Sequence, residues 1–174
     1  MRLAELGLDP EVGDDARALL GLDQTAIEIN VTPDRGYAFS MRGVAREYAL
    51  ATGASFNDPV DRADVPTPSG FSVAIQDERP IRNRPGASVF VTRLVRGVDP
   101  SRPTPQWMVT RLNLAGIRSL SLVVDITNNV MLELGNPIHA YDFDTLSGAI
   151  VVRRADAGET LTTLDGRERT LHAE

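Results

Sequence analysis

This sequence contains no cysteine and no lysine, and only two histidines among 174 residues. Without cysteine there are no thiol nucleophiles, disulfides or thiolate zinc sites. Without lysine there is no Walker-type phosphate loop, Schiff base or pyridoxal attachment, each of which needs that amine. All eighteen basic residues are therefore arginine, a bias that suggests a GC-rich coding genome. His139 and His172 alone cannot supply an all-histidine metal site within one chain, and no metal site is expected. No apolar run reaches membrane length and no signal peptide opens the chain, which points to a cytoplasmic protein with no membrane partner. Neither a Gly-x-Ser-x-Gly elbow nor a Ser-His-Asp order is present, so a covalent hydrolase is disfavoured.

What is present is 42% hydrophobic residues, enough for one ordinary core or two small ones, and a net charge of -6. An acidic domain offers no broad basic face to a nucleic-acid duplex, but a local arginine cluster could still touch an RNA end.

The stretch Gly116 to Asp142, GIRSLSLVVDITNNVMLELGNPIHAYD, is the centre of the chain. Val123, Ile126, Val130 and Leu134 recur at helical steps and predict a buried helix. Gly135 follows the last apolar position, where a left-handed helix end favours glycine. Pro137 forbids the helix to resume, so Asn136 to Ala140 forms a stiff turn that presents His139.

Around this centre, residues 1–53 form an N-terminal segment: an acidic stretch to Asp23 with a short helix near Asp15 to Leu20, then a strand and a helix. Ala26 to Val31 alternates like a half-buried strand. Ser40 caps a helix running to Thr52, closed by Gly53, with Met41, Val44, Ala45, Tyr48 and Ala49 inward and Arg42, Arg46 and Glu47 outward. Residues 54–70 are rich in Asp, Pro and Ser and read as a linker or surface loop. Residues 71–174 form the main domain. Phe71 to Ile75 and Ala87 to Val95 alternate as strands, separated by an arginine-rich loop from Glu78 to Gly86. Thr104-Pro105 starts a helix that Gly116 ends. Ala149 to Arg153, Leu161 to Leu164 and Glu168 to Leu171 are strands, the last two joined at the hairpin signal Asp165-Gly166. The fold class is α+β: a mixed, mostly antiparallel sheet packed with three main helices. The chain stops at Leu171-His172-Ala173-Glu174, straight after a strand, and is expected to be a piece of something larger.

Thr127 and Asn128 place neutral hydrogen-bonding groups in mid-helix, where Leu or Ala would be preferred, and Asp125 shares a polar strip with Asn128 and Asn129. Two roles stay open for the pair. They could bind a substrate, or Asn128 could cap a neighbouring loop while Thr127 bonds back to its own helix. His139 could hydrogen-bond a substrate carbonyl, orient a water, or contact a phosphate or ribose. Asp142 and Asp144 are expected to pair with arginines in a structural role.

The run Pro105 to Gly148, with VVDITN and a downstream GNPIHAYD, resembles the editing (B3/B4) domain in the beta chain of bacterial phenylalanyl-tRNA synthetase. Glu28 to Gly53 resembles the segment before it, and LTTLDGRERTL the one after. The resemblance implies a second, hydrolytic sieve within the full-length enzyme. Its pocket hydrogen-bonds the tyrosine hydroxyl and refuses phenylalanine, which would leave polar groups unpaired. A positioned water attacks the ester joining tyrosine to the tRNA. By the same resemblance, Thr127, Asn128 and His139 are the catalytic positions, and Pro137 and Ala140 shape the wall that binds substrate. The implied partners are the aminoacylated 3′ end of tRNA(Phe) and the synthetase alpha subunit. No cofactor is implied for this region, since ATP and Mg belong to the synthetic site of the parent enzyme. The chain departs from the family at Asn129, where an aromatic is usual, at Ser119, where proline often stands, and at Ser88, near a common arginine. The family's glutamate that reads the tyrosine hydroxyl, and a glycine-rich loop, fall beyond Glu174, which implies C-terminal truncation. The other role open to the same region is a non-catalytic structural or tRNA-binding module of the synthetase.

Overall fold

The computed structural model describes residues 8–61, 70–78 and 80–173. The first seven residues of the acidic stretch, positions 62–69 of the expected loop, Arg79 and Glu174 lie outside the described residues. The chain divides into two compact units: Met1–Asp64 with Gly97–Ala140, and Val65–Arg96 with Tyr141–Glu174.

The first unit is helical. Helix α1 (Ala16–Leu19) starts where the Asp15 carboxylate accepts from the Arg17 amide. Helix α2 (Met41–Thr52) has the limits its sequence predicts. The Ser40 hydroxyl accepts from the Gly43 amide at its start, and Gly53, at φ 76°, ends it. Its inner face, however, is not the expected one. Met41 and Tyr48 are 70% and 64% exposed, whereas Arg42, Arg46 and Glu47 are half-buried. The reason is ionic. Arg42 and Arg46 both reach the Asp58 carboxylate, and Glu47 takes Arg35 and the Tyr37 hydroxyl.

Helix α3 (Gln106–Leu114) begins one residue later than expected, and Thr104 does not cap it. Its far end closes with paired bonds, Gly116 N–H to Asn113 and Ile117 N–H to Leu112, about a glycine at φ 76°. Met108 and Leu112 from this helix are buried, Leu112 completely, but Trp107 stands half-exposed beneath the Arg111 guanidinium. The Thr110 hydroxyl donates to the Leu20 carbonyl and so fastens α1 to α3. Helix α4 (Leu122–Leu134) packs against α2 and α3 and ends at Gly135, φ 83°, as its sequence predicts. It is less buried than the apolar stripe suggests: Ile126 is 43% exposed, and Asp125 is the helix's one fully buried residue.

In the second unit, β1 (Val73–Gln76) pairs in parallel with β2 (Ile150–Arg153), Val73 opposite Ile150. Strands β3 (Thr160–Thr162) and β4 (Glu168–Thr170) form an antiparallel hairpin. Its turn is a three-residue loop rather than the expected two-residue one. Thr163 N–H meets the Arg167 carbonyl, and Gly166 sits at φ 76°. Phe71 meets Phe143 edge to face at 5.9 Å. The Asp77 carboxylate accepts from Arg154 at 2.8 Å and from the Gly86 amide at 2.7 Å.

The mixed α+β class and the three main helices are therefore as predicted. Among the described residues the sheets are small, one parallel and one antiparallel. Two expected strands, Ala26 to Val31 and Ala87 to Val95, are not strands. Alternation alone does not make a ladder; a neighbouring edge must also be present, and among the described residues none pairs with either segment.

Candidate functional site

Four of α4's thirteen residues precede Ile126, and Thr127 and Asn128 follow it in the middle of the helix. The two are adjacent in sequence but about 100° apart around the axis, so they face different directions. The Thr127 hydroxyl donates to the Val124 carbonyl at 2.7 Å, the back-bond open to a mid-helix threonine. Its oxygen keeps lone pairs with which to accept a second bond. Asn128 is half-buried, and Asn129 reaches Glu133 one turn on.

Pro137, His139 and Ala140 lie together in the exposed run that follows Gly135. By helix rise, Asn128 stands about 9 Å along the axis from the last residue of α4, Leu134. Among the described residues neither Asp142 nor Asp144 pairs with an arginine. The Asp142 carboxylate accepts from the Asp144 amide and starts a short 3-10 turn, Phe143–Thr145.

Two recesses flank α2. One, of about 290 Å³, is walled by Ile29, Val31, Ala38 and Val44 with Arg35 and Glu47. The other, of about 110 Å³, lies among Tyr37, Ser40, Arg42, Arg46 and the start of the His139 run, Gly135 and Asn136. Neither is lined by Thr127, Asn128, Pro137, His139 or Ala140.

The residue whose burial the sequence did not reveal is Asp125. On the polar strip it shares with Asn128 and Asn129, it alone is completely buried. Its Oδ2 accepts from the Thr104 hydroxyl at 2.5 Å and the Ser119 hydroxyl at 2.6 Å, and its Oδ1 from the Leu120 amide at 3.0 Å. Burial pushes its pKa up, but the bonds from Ser119, Thr104, Leu120 and Ser121 together hold it below the usual carboxylate value. A carboxylate in the first turn of a helix, with serines just upstream, was the available signal. The Ser119 departure acquires a use here, because a proline has no hydroxyl to donate.

A second carboxylate is equally committed. The guanidinium of Arg42 forks onto Asp58 and, against the opposing effect of burial and with help from Val60 N–H and Arg46, lowers its pKa to about 2. Among the described residues, no group of three or more His, Asp or Glu side chains is placed to hold a metal ion, and no helix is long and apolar enough to cross a membrane.

A helical unit that presents a proline-braced histidine run, joined to a small-sheet unit, is the architecture to be placed among known proteins. Residues 86–174 match the B3/4 domain, and the chain belongs to that family. Along its whole length it is similar to the phenylalanine-tRNA ligase beta subunit of Leifsonia xyli, at 71% identity over 176 residues, covering 100% of this chain and 21% of that protein. The beta subunit of Bifidobacterium longum is 52% identical over 93% of this chain and 20% of its own length. That of Pseudomonas fluorescens is 45% identical over 99% of this chain and 21% of its own length. The resemblance carried by VVDITN and GNPIHAYD is thereby borne out. The chain spans about a fifth of the length of the curated relatives it matches.

Proposed function

We propose that this chain forms part of an editing site that hydrolyses tyrosine wrongly attached to tRNA(Phe), within a phenylalanine-tRNA ligase beta subunit. The observation that supports the reading is a polar Thr127 and Asn128 in mid-α4, followed past its end by the exposed Pro137, His139 and Ala140, in a B3/4 chain whose relatives are named as subunits of a tRNA ligase. In this scheme His139 orients the attacking water or the terminal ribose, and Thr127 and Asn128 hydrogen-bond the ester as charge develops on it. Pro137 and Ala140 wall the pocket. The partners are the aminoacylated 3′ end of the tRNA and an alpha subunit, and the setting is the cytoplasm. ATP and Mg act in the synthetic reaction and not in this site.

The test is release of tyrosine from tyrosine-charged tRNA(Phe), with phenylalanine-charged tRNA for selectivity and His139→Ala as control. The reading predicts selective release that the substitution slows at least tenfold. Equal rates with and without His139 would overturn it.

One observation favours the second reading, a non-catalytic structural or tRNA-binding module: the Thr127 hydroxyl already bonds its own helix. On that reading the protein binds the charged tRNA without releasing tyrosine.

A further inference from the structure

We infer that Asp125 is a positioning residue for Asn128, acting through a polar clamp made with Thr104, Ser119 and Leu120. The inference rests on the proposed role of Asn128 at the editing site and adds to it the device that aims this side chain.

Something must set the roll of α4 about its own axis, because a helix turned by one residue swings every side chain through about 100°. Apolar packing supplies only part of that constraint. Among the described residues the buried hydrophobic side chains are Met108 and Leu112, both on α3, while Val124 and Ile126 of α4 are more than a third exposed and its other apolar residues are half-buried. An apolar contact is also non-directional. The Asp125 carboxylate is directional. Its two oxygens accept from three donors on two chain segments, one entering α3 at Thr104 and one leading into α4 at Ser119 and Leu120. The clamp therefore ties the first turn of α4 both to the start of α3 and to the lead-in of α4 itself. Asn128 lies three residues on, one turn along the same side of the helix. A change of roll at Asp125 passes directly to Asn128. Thr127 turns with the same roll, since its own bond, to Val124, lies within the helix.

Unlike a group retained only for stability, a positioning residue changes the geometry of the folded state. Thr104→Val removes one donor with little change in shape, Thr104→Ser restores it, and Ser119→Ala removes the second. These variants are measured in the native polypeptide, well below its melting temperature, for kcat and KM on tyrosine-charged tRNA(Phe) and for the side-chain amide resonances of Asn128. The expected result is a fall in kcat of about 10- to 100-fold in Thr104→Val and Ser119→Ala with KM within about twofold, since a misplacement near 1 Å costs that order in rate. Thr104→Ser should return kcat to within about twofold of the parent, and the Asn128 resonances should move and return in the same pattern. Variants that melt earlier but keep both kcat and the Asn128 resonances would overturn the inference and leave the clamp a stabiliser only. If the unsubstituted protein releases no tyrosine, the editing reading fails separately. The resonances then decide whether the clamp aims Asn128, and unmoved resonances would again overturn it.

Discussion

The Oγ of Ser40 lies 3.0 Å from the position a Cβ would take on Gly135, so the cap of one helix stands against the end of another. Gly135 has φ 83° and is the last point before the run that carries His139. Two effects oppose a side chain here: the left-handed backbone and the Ser40 hydroxyl. Gly53 closes α2 at φ 76° with nothing near its missing Cβ, and so isolates the first effect. Gly53→Ala is expected to cost about 1 kcal/mol and Gly135→Ala about 2 kcal/mol, read from urea unfolding. Equal costs would show that Ser40 yields freely.

Gly43 presents a harder limit. A Cβ there would stand 1.9 Å from the Tyr37 carbonyl oxygen and 2.9 Å from the Ala38 Cα, both backbone atoms. The same short segment supplies Tyr37 O as acceptor for the Ser40 hydroxyl, which in turn accepts from the Gly43 amide. Nothing in that closed loop can move without breaking the cap. Gly43→Ala should therefore destabilise by more than about 2 kcal/mol, despite alanine's better helix propensity. A melting temperature at or above that of the parent would contradict the close approach.

Acid should reach the first unit through Asp58. Its folded pKa, about 2, lies below the ordinary carboxylate value, chiefly through the Arg42 fork. A depressed pKa means the unfolded chain takes up protons first as pH falls. The stabilisation is thus whole above the ordinary carboxylate value near pH 4 and is lost between there and about pH 2. Unfolding midpoints taken from pH 6 to pH 2 should fall across that window. Arg42→Gln should start lower at pH 6 and fall less steeply, because the fork that depresses the Asp58 pKa has gone. Parallel curves for the two proteins would mean that other carboxylates govern the acid limb.

The short-range features of this fold were legible, and the long-range ones were not. Ser40 and Gly53 mark α2 to the residue because a cap and a left-handed glycine act within a few positions of themselves. The inward face of α2 depends on Asp58, sixteen residues beyond Arg42, and a hydrophobicity pattern reads Arg42 as outward when it is held by a buried carboxylate. Thr104 carried the signature of a helix cap and spends its hydroxyl on Asp125, twenty-one positions away. At the candidate site, Pro137 and Gly135 announced an exposed histidine run, which is local chemistry. The burial of Asp125 was not legible because Thr104 reaches it only when α3 and α4 pack.

Thr127 separates the two functional readings most directly. Its hydroxyl hydrogen is given to Val124 at 2.7 Å, while its oxygen can still accept from a ligand donor. Thr127→Val keeps the shape, removes both capacities, and replaces a back-bonded hydroxyl that contributes little to helix stability. Stability should then change by no more than about 0.5 kcal/mol, since the residue is only half-buried. If the hydroxyl contacts the ester during hydrolysis, tyrosine release should fall about 10- to 100-fold, the scale of one lost transition-state hydrogen bond. Thr127→Ser, which keeps the hydroxyl, should retain most of the rate. Release that is unchanged in Thr127→Val, from a protein of normal stability, would confine the hydroxyl to its own helix and remove Thr127 from the site.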